Sequence, residues 1–284
     1  MFLKNLTDGY ELSNGVKIPC IGFGTWQTPD GDVARESVKM AIAAGYRHID
    51  TAAAYGNETS VGQGILESGI DRESLFVTSK LPNHSHGYDK TRAAFLKTLE
   101  DLKTDYVDLY LIHWPNPVAF RDCWEQANAE SWKAIEEFYQ AGQIRAIGVS
   151  NFMERHLEAL DKTARVQPMV NQITLSPGLT QDALVRFCRE RGMILEAYSP
   201  LGTGRVLSNP DMRAIAEKYG RSVAQICVRW SLQMGFLPLP KSTHESRIIE
   251  NANVFDFELS VDDVQRIASL DCGGFVRDPD TVNL

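Results

Sequence analysis

Eight short apolar runs alternate along the chain with stretches of helical periodicity. Several runs, such as residues 107–114 (VDLYLIHW), are apolar almost throughout, which is typical of parallel strands buried on both faces. Between the runs, apolar residues recur at three- and four-residue spacing, as in the stripe of Phe95, Leu99 and Leu102. The eight predicted strands span residues 21–25, 46–52, 75–81, 107–114, 144–151, 168–174, 193–200 and 236–241.

Eight strand–helix units in sequence predict an α/β fold, a closed (β/α)8 barrel. An open, doubly wound sheet is the structural alternative. Ahead of the first unit, Asn14-Gly15 lies between alternating apolar residues, and this pattern predicts a β-hairpin over residues 10–18 that caps one end of the barrel. No linker, repeat or low-complexity segment interrupts the pattern, so we predict one domain over residues 1–284.

The predicted helices also carry end signals. Ser222 with Gln225 and Ser260 with Asp263 have the spacing of a capping box at a helix start. Gly142 follows a helical stripe and predicts the end of that helix.

Composition narrows the class of protein. The chain has 284 residues, and α/β barrels use about 250 residues as one domain. A net charge of -8 argues against a nucleic-acid or anionic-membrane partner. No apolar run approaches the roughly 20 residues of a membrane span, and from the polar N-terminus we expect no signal peptide. Five scattered cysteines without a C-x-x-C motif favour a reducing, cytoplasmic location.

Four residues of different chemistry lie at or just after the carboxyl ends of neighbouring predicted strands. Asp50, Lys80 and His113 close the second, third and fourth strands, and Tyr55 lies in the loop after the second. The carboxyl ends of barrel strands converge on one mouth, where such folds build their active sites. Other polar residues at predicted strand ends are Ser150, Asn151, Asn171, Gln172, Glu196, Tyr198, Ser199 and Lys241.

Together these four side chains predict acid catalysis of carbonyl reduction. A free phenol has a pKa of about 10, and we expect the Lys80 ammonium to lower the pKa of Tyr55. Asp50 would hold the lysine charged, and His113 would orient a substrate carbonyl while Tyr55 protonates its oxygen. The chain offers neither a nucleophile–base pair nor metal-ligand spacing, so hydrolysis and zinc chemistry fit poorly and we expect no metal.

Carbonyl reduction needs a hydride-donating cofactor. No G-x-G-x-x-G follows a strand, and the run from Gly22 to Gly24 lacks a third glycine. Lys241 and Arg247 follow the eighth predicted strand, where a helix N-terminus at the barrel mouth is suited to a phosphate. These cations favour NADPH over NADH, because only NADPH carries a 2′-phosphate for them to bind. An ordinary basic first turn of a helix is the alternative.

The chain resembles the aldo-keto reductases along nearly its whole length. The resemblance rests on residues 22–26 (GFGTW), 45–52 (GYRHIDTA), 109–114 (LYLIHW), 147–152 (IGVSNF), 198–202 (YSPLG) and 240–242 (PKS), in that order. It looks closest to bacterial and protozoal members similar to 2,5-diketo-D-gluconate reductase. The resemblance implies a (β/α)8 barrel that binds NADPH extended across its mouth without a Rossmann fold.

The resemblance also implies roles for particular residues. Tyr55 matches the general acid, Lys80 and Asp50 its tuning pair, and His113 the residue that orients the carbonyl. The implied substrate contacts are Trp26, Tyr55, His113 and Trp114. The implied cofactor contacts include Thr25 and Asp50. The others are Ser150, Asn151 and Gln172 for the nicotinamide carboxamide, Tyr198 for ring stacking, Ser199 and Leu201 for the pyrophosphate, Lys241, Ser242, Thr243 and Arg247 for the 2′-phosphate, and Glu250 and Asn251 near the adenine.

Two segments depart from the pattern of the relatives. Residues 175–179 (LSPGL) place Ser176 and Gly178 where relatives often carry His and Tyr, and Pro82 stands where they often carry Trp. Both segments border the mouth, so the resemblance does not imply a particular substrate. From the aromatic residues Trp26, Trp114 and Phe120 we expect a mainly apolar mouth that accepts small aldehydes, α-dicarbonyls, keto-sugars and ketones.

Two other functions fit the same barrel. A Schiff-base enzyme using Lys80 would need a desolvated lysine without a close carboxylate. A cofactor-binding sensor or a structural protein would keep the barrel without turnover. We expect a monomer whose partner is a small carbonyl molecule, and an oligomer remains an alternative.

Overall fold

A computed structural model of the chain describes residues 3–284. Strands β1 (Gly9–Glu11) and β2 (Lys17–Pro19) form an antiparallel hairpin. An eight-stranded sheet follows, in which every strand pairs in parallel with its neighbours in chain order. Its strands are β3 (Phe23–Gly24), β4 (His48–Asp50), β5 (Phe76–Leu81), β6 (Val107–Ile112), β7 (Ile144–Ser150), β8 (Val170–Thr174), β9 (Ile194–Tyr198) and β10 (Leu237–Leu239). All eight predicted strands are confirmed.

Glycines in β3 and just before it allow the first and last strands to meet. Gly22 N donates to Pro238 O, and Gly24 N to Pro240 O, each at 3.1 Å. A Cβ at position 22 would lie 2.5 Å from Leu239 Cδ2 and 2.7 Å from a ring nitrogen of His48, so a larger residue would force the strands apart. These bonds bring the sheet round into a barrel and rule out the open-sheet alternative.

The hairpin covers the end of the barrel where the strands begin. Tyr10 OH donates to the carbonyl of Phe236, directly before β10, and Asn14 Nδ2 donates to that of Arg145 at the start of β7. Ile18 of β2 is fully buried. The predicted hairpin is therefore confirmed, and it closes the end opposite the mouth.

Ten α-helices lie within the described residues, and they surround the sheet. They are α1 (Asp32–Ala43), α2 (Glu58–Glu67), α3 (Tyr88–Leu102), α4 (Trp124–Gln140), α5 (Glu154–Asp161), α6 (Asp182–Glu190), α7 (Pro210–Tyr219), α8 (Val223–Gln233), α9 (Glu245–Ala252) and α10 (Val261–Ala268). Within residues 3–284, no helix combines the length and apolar character needed to cross a membrane.

Of the two predicted capping boxes, one is complete. Ser222 Oγ accepts from Gln225 N, and Gln225 Oε1 accepts from Ser222 N in return. At α10 only half of the box forms, because Ser260 Oγ accepts from Asp263 N but the Asp263 carboxylate accepts from Lys218 and Tyr219 instead of Ser260 N. Side chains from α7 therefore donate to the carboxylate that the capping-box pattern assigns to the main-chain N–H of Ser260.

Candidate active site

A cavity of about 1030 Å³ opens at the carboxyl ends of the barrel strands. Two of the predicted site residues, Thr25 and Lys80, do not line this cavity but lie buried beneath its floor. Thr25 Oγ1 donates to the main-chain oxygen of Asp50 at 3.0 Å and so supports the strand end from below. The predicted residues that line the cavity are Trp26, Asp50, Tyr55, His113, Trp114, Ser150, Asn151, Gln172, Tyr198, Ser199, Leu201, Lys241, Ser242, Thr243, Arg247, Glu250 and Asn251.

The four candidate catalytic residues meet at the floor of the cavity. Lys80 Nζ lies 2.8 and 2.9 Å from the two carboxylate oxygens of Asp50 and 3.3 Å from Tyr55 Oη. A fourth acceptor, the carbonyl of Thr51, lies 2.8 Å from the same Nζ. The His113 ring packs edge-on against Tyr55 with ring centroids 5.7 Å apart. Strand ends distant in sequence thus place a carboxylate, an ammonium, a phenol and an imidazole in one group.

Burial decides the protonation of this group. Burial by itself lowers the pKa of Lys80, because it removes the ammonium from water. The interactions of Lys80 with Asp50 and Tyr55 outweigh this effect, so its pKa is raised. Lys80 lowers the pKa of Tyr55, as expected, but burial raises it by more, so the net pKa of Tyr55 lies above its ordinary value in the protein without ligand. Burial and the Lys80 charge hold the pKa of His113 well below its usual range, so its imidazole is neutral at pH 7.

A wall of polar side chains rises from β7, β8 and β9 beside this group. Asn151 Nδ2 donates to the carbonyl of His113 at 3.0 Å, and Asn151 Oδ1 accepts from Tyr198 OH at 2.8 Å. Asn151 and Ser199 adopt left-handed backbone conformations, with φ of 61° and 51°. Such strained residues tend to cluster at functional sites, where the surrounding structure holds them in place.

The far end of the cavity fits a phosphate. Lys241 follows β10, and Arg247 lies in the first turn of α9, whose N-cap residue His244 provides no side-chain cap. Across residues 3–284, neither Lys241 nor Arg247 forms an ion pair. Burial lowers the pKa of Lys241, as expected for a cation that lacks a partner. Free cations beside uncapped main-chain N–H groups are the donors that a phosphate requires.

The C-terminal segment after α10 forms part of the cavity wall, which the sequence did not predict. The Asp280 carboxylate accepts from Asn116 Nδ2 at 2.7 Å and also contacts Arg155. His156 Nδ1 accepts from Met153 N, so its Nε2 carries the proton that it donates to Asp280 at 3.1 Å. These contacts hold the segment across the mouth.

The departure at residues 175–179 has a structural reason. Gly178 has a φ of 73°, and a Cβ there would lie 2.0 Å from Leu270 O. The chain leading into the C-terminal segment therefore passes over Gly178 at a distance that excludes the larger residue of the relatives. Pro82 is buried and does not line the cavity. The residue after it, Asn83, begins a short turn and does line the cavity.

One aromatic residue lies elsewhere than the sequence predicts, and about half of the residues that line the cavity were not predicted. Phe120 does not line the cavity but stacks on the His86 ring, with centroids 5.4 Å apart. The motifs that carry the family resemblance already contain Gly24, Pro200 and Pro240, and a glycine-containing loop follows β9, whereas the C-terminal segment has no hydrophobic periodicity that would mark it. The missed wall residues are Gly24, Gln27, Ala54, Asn83, Thr174, Pro200, Thr203, Gly204, Arg205, Leu207, Ser222, Val223, Ala224, Leu239, Pro240, His244, Phe275, Arg277 and Leu284.

Comparison with known proteins places this geometry in a family. Residues 20–271 match the model of the aldo/keto reductase family. Over 266 residues the chain is 52% identical to the glyoxal reductase of Bacillus subtilis, covering 94% of each chain. It is 45% identical over 262 residues to the 9,11-endoperoxide prostaglandin H2 reductase of Trypanosoma cruzi, covering 91% of this chain and 90% of the relative.

Solved structures agree with this assignment. An aldo/keto reductase from Brucella melitensis superposes with a TM-score of 0.87 at 44% identity, covering 93% of this chain and 100% of that one. An aldo-keto reductase of Bombyx mori, solved in complex with NADP, gives 0.84 at 36% identity, covering 94% of this chain and 92% of that one. The chain therefore belongs to the aldo/keto reductase family and is an oxidoreductase.

Proposed function

We propose that this protein reduces aldehydes and ketones to alcohols with NADPH as cofactor and Tyr55 as the general acid. The observation that carries the proposal is the buried contact of Lys80 with both Asp50 and Tyr55 at the floor of the cavity. A bound NADPH would supply the hydride that the carbonyl carbon accepts. All other steps belong to residues of the chain.

In this mechanism, His113 and Tyr55 act on the carbonyl oxygen. The neutral imidazole of His113 donates a hydrogen bond that orients and polarises the carbonyl. Tyr55 transfers its phenolic proton to the oxygen as negative charge develops there. Lys80 stabilises the resulting phenolate, and Asp50 keeps the lysine charged and in place.

The cofactor would lie along the wall from β7 to α9. Ser150, Asn151 and Gln172 would hold the nicotinamide carboxamide, and the Tyr198 ring would stack on the nicotinamide. Ser199 and Leu201 would contact the pyrophosphate. The adenine end would lie against α9, with Lys241, Ser242, Thr243 and Arg247 on the 2′-phosphate and Glu250 and Asn251 near the base.

The substrate would enter between Trp26 and Trp114. Trp26 is 41% exposed at the rim, whereas Trp114 is 8% exposed deeper in the cavity, so both present apolar surface around the polar floor. Small aldehydes, keto-sugars and α-dicarbonyls fit such a site, and the name of the Bacillus subtilis relative supports the last class. NADPH oxidation over a panel of these carbonyls tests the proposal. Bound NADPH without turnover on any of them would favour the cofactor-sensor alternative.

The Schiff-base alternative fits the site less well. The raised pKa of Lys80 keeps its amine protonated, and a protonated amine cannot attack a carbonyl. Borohydride trapping with a carbonyl substrate tests this directly. The single domain over residues 1–284, the monomeric state and the cytoplasmic location stay predictions, and Met1 and Phe2 lie outside the described residues.

Arg247→Ala is expected to weaken NADPH binding about tenfold to a hundredfold and to leave NADH binding nearly unchanged. A lost charge-assisted hydrogen bond costs about 1.5–3 kcal/mol, and only NADPH carries the phosphate that forms it. Cofactor titration by fluorescence gives both dissociation constants. The matched control is Arg186→Ala on α6, an exposed arginine outside the cavity. An equal loss for both cofactors contradicts the phosphate assignment.

Asp280→Ala is expected to raise the KM for carbonyl substrates about tenfold while NADPH affinity stays near wild type. The change removes the carboxylate that accepts from Asn116 and His156 and so helps to hold the C-terminal segment over the mouth, and each lost hydrogen bond is worth about 1 kcal/mol. Steady-state kinetics measures the effect, with Asp262→Ala on α10 as an exposed control. An unchanged KM would show that the segment does not shape the substrate site.

A further inference from the structure

A second buried carboxyl group lies beside the proposed catalytic residues. Glu196 on β9 is fully buried, and its Oε2 accepts from Gln172 Nε2 at 2.8 Å. The same Gln172 nitrogen donates to Asp50 Oδ2, also at 2.8 Å. One amide thus uses its two N–H groups on two carboxyl groups, which fixes the amide orientation and links Glu196 to Asp50.

The other oxygen of Glu196 is left without a partner. Glu196 Oε1 is buried and makes no hydrogen bond among the described residues. The Nε2 atom of His48 on β4 lies 3.7 Å from Glu196 Oε1, but this nitrogen already pairs with Thr78 Oγ1 at 2.9 Å. Burial lowers the pKa of His48 to about 3, so this imidazole is neutral and supplies no counter-charge.

The charges of the groups around Glu196 sum to zero when Glu196 itself is neutral. Asp50 and His48 face it from β4, Tyr55 from the loop after β4, and Lys80 from β5. The neighbouring strands β8 (VNQIT) and β10 (LPL) contain no titratable residue. The Lys80 cation and the Asp50 anion cancel, so an ionised Glu196 would leave one unbalanced negative charge out of contact with water.

We propose that Glu196 is a positioning residue that holds the Asp50 carboxylate in place through the amide of Gln172 and, by losing its proton, weakens Tyr55 as an acid. This inference rests on the proposed function of Tyr55. Burial and the nearby Asp50 raise the pKa of Glu196 to about 8. Below that pH Glu196 is neutral, and above it the new negative charge raises the pKa of Tyr55 further.

The pH dependence of kcat tests the proposal. For the wild type, kcat for reduction is expected to fall above about pH 8, by at most about tenfold at pH 9, where about one molecule in ten still has Glu196 protonated. Glu196→Gln keeps an oxygen that accepts from Gln172 but cannot ionise, so kcat at pH 7 should stay within about twofold and the fall near pH 8 should vanish. Glu196→Val removes the acceptor and is expected to lower kcat at every pH, with little change in KM.

A second buried carboxyl serves as the matched control. Glu58 on α2 is buried, its pKa is raised by burial to about 7, and it bonds to Ser79 and Thr98 rather than to the catalytic residues. Glu58→Gln should leave the fall near pH 8 in place. If Glu196→Gln keeps that fall, or Glu58→Gln abolishes it, the proposal is overturned.

Carboxyl 13C NMR of the protein without cofactor gives a readout that does not depend on turnover. The Asp50 resonance is expected to shift with a midpoint near pH 8 in the wild type and in Glu58→Gln, but not in Glu196→Gln. An Asp50 resonance that shows no such midpoint overturns the proposal. If the shift occurs while no carbonyl is reduced, the link between Glu196 and Asp50 stands and the proposed function has failed.

Discussion

Tyr55→Phe is expected to lower kcat for carbonyl reduction by about 10²–10⁴-fold or more, with NADPH affinity near wild type. General acid catalysis contributes about that range, and the neutral His113 beside it is a weaker acid than an imidazolium would be. The change removes only the hydroxyl, so the ring still packs against His113 and the cavity keeps its shape. Single-turnover kinetics with bound NADPH measures the chemical step directly.

Tyr110→Phe is the matched control for this experiment. Tyr110 is a fully buried tyrosine on β6 whose hydroxyl has no hydrogen-bond partner among the described residues. Its replacement should leave kcat within about twofold, because no reacting atom loses a donor. If Tyr55→Phe retains near-normal kcat with NADPH bound, another group is the acid and the central mechanism is wrong.

Lys80→Met is expected to lower kcat by a comparable factor and to change its pH dependence. Lys80 is the group that holds the pKa of Tyr55 down against burial, so without it that pKa rises further. The phenol stays protonated but becomes a weaker acid, which slows reduction. In the reverse direction the phenolate must act as base, so the rise of alcohol oxidation with pH should move to higher pH.

Stability must be measured alongside activity for Lys80→Met. The variant leaves the Asp50 carboxylate buried without its cation, and breaking such a pair costs about 3–5 kcal/mol. Urea unfolding shows whether the variant is folded under assay conditions, and Asp50→Asn with Lys80→Met restores neutrality if it is not. Lys97→Met on α3, an exposed lysine, is the control. An unshifted oxidation profile in a folded variant would exclude Lys80 as the tuning group.

Local patterns were sufficient for the fold and for the four candidate catalytic residues, whereas most of the cofactor contacts were implied only by the family resemblance. Apolar runs of strand length mark strands buried on both faces, and Asn14-Gly15 marks the hairpin, because both signals depend on neighbouring residues only. Once a barrel is inferred, the strand-end residues Asp50, Lys80 and His113 must share one mouth. That geometric rule brought together residues far apart in the sequence.

Tertiary structure alone decided the protonation of the site and its outer wall. The pKa of Tyr55 rises because its burial outweighs the nearby Lys80, and the sequence shows the charge but not the loss of water. Glu196 was visible as a strand-end residue, yet its link to Asp50 through Gln172 depends on contacts across three strands. The C-terminal segment lies over the mouth because Gly178 leaves room for it, and no periodicity records a contact between segments about 90 residues apart. Burial and such long-range contacts exist only when the chain is folded, so only the folded structure reveals them.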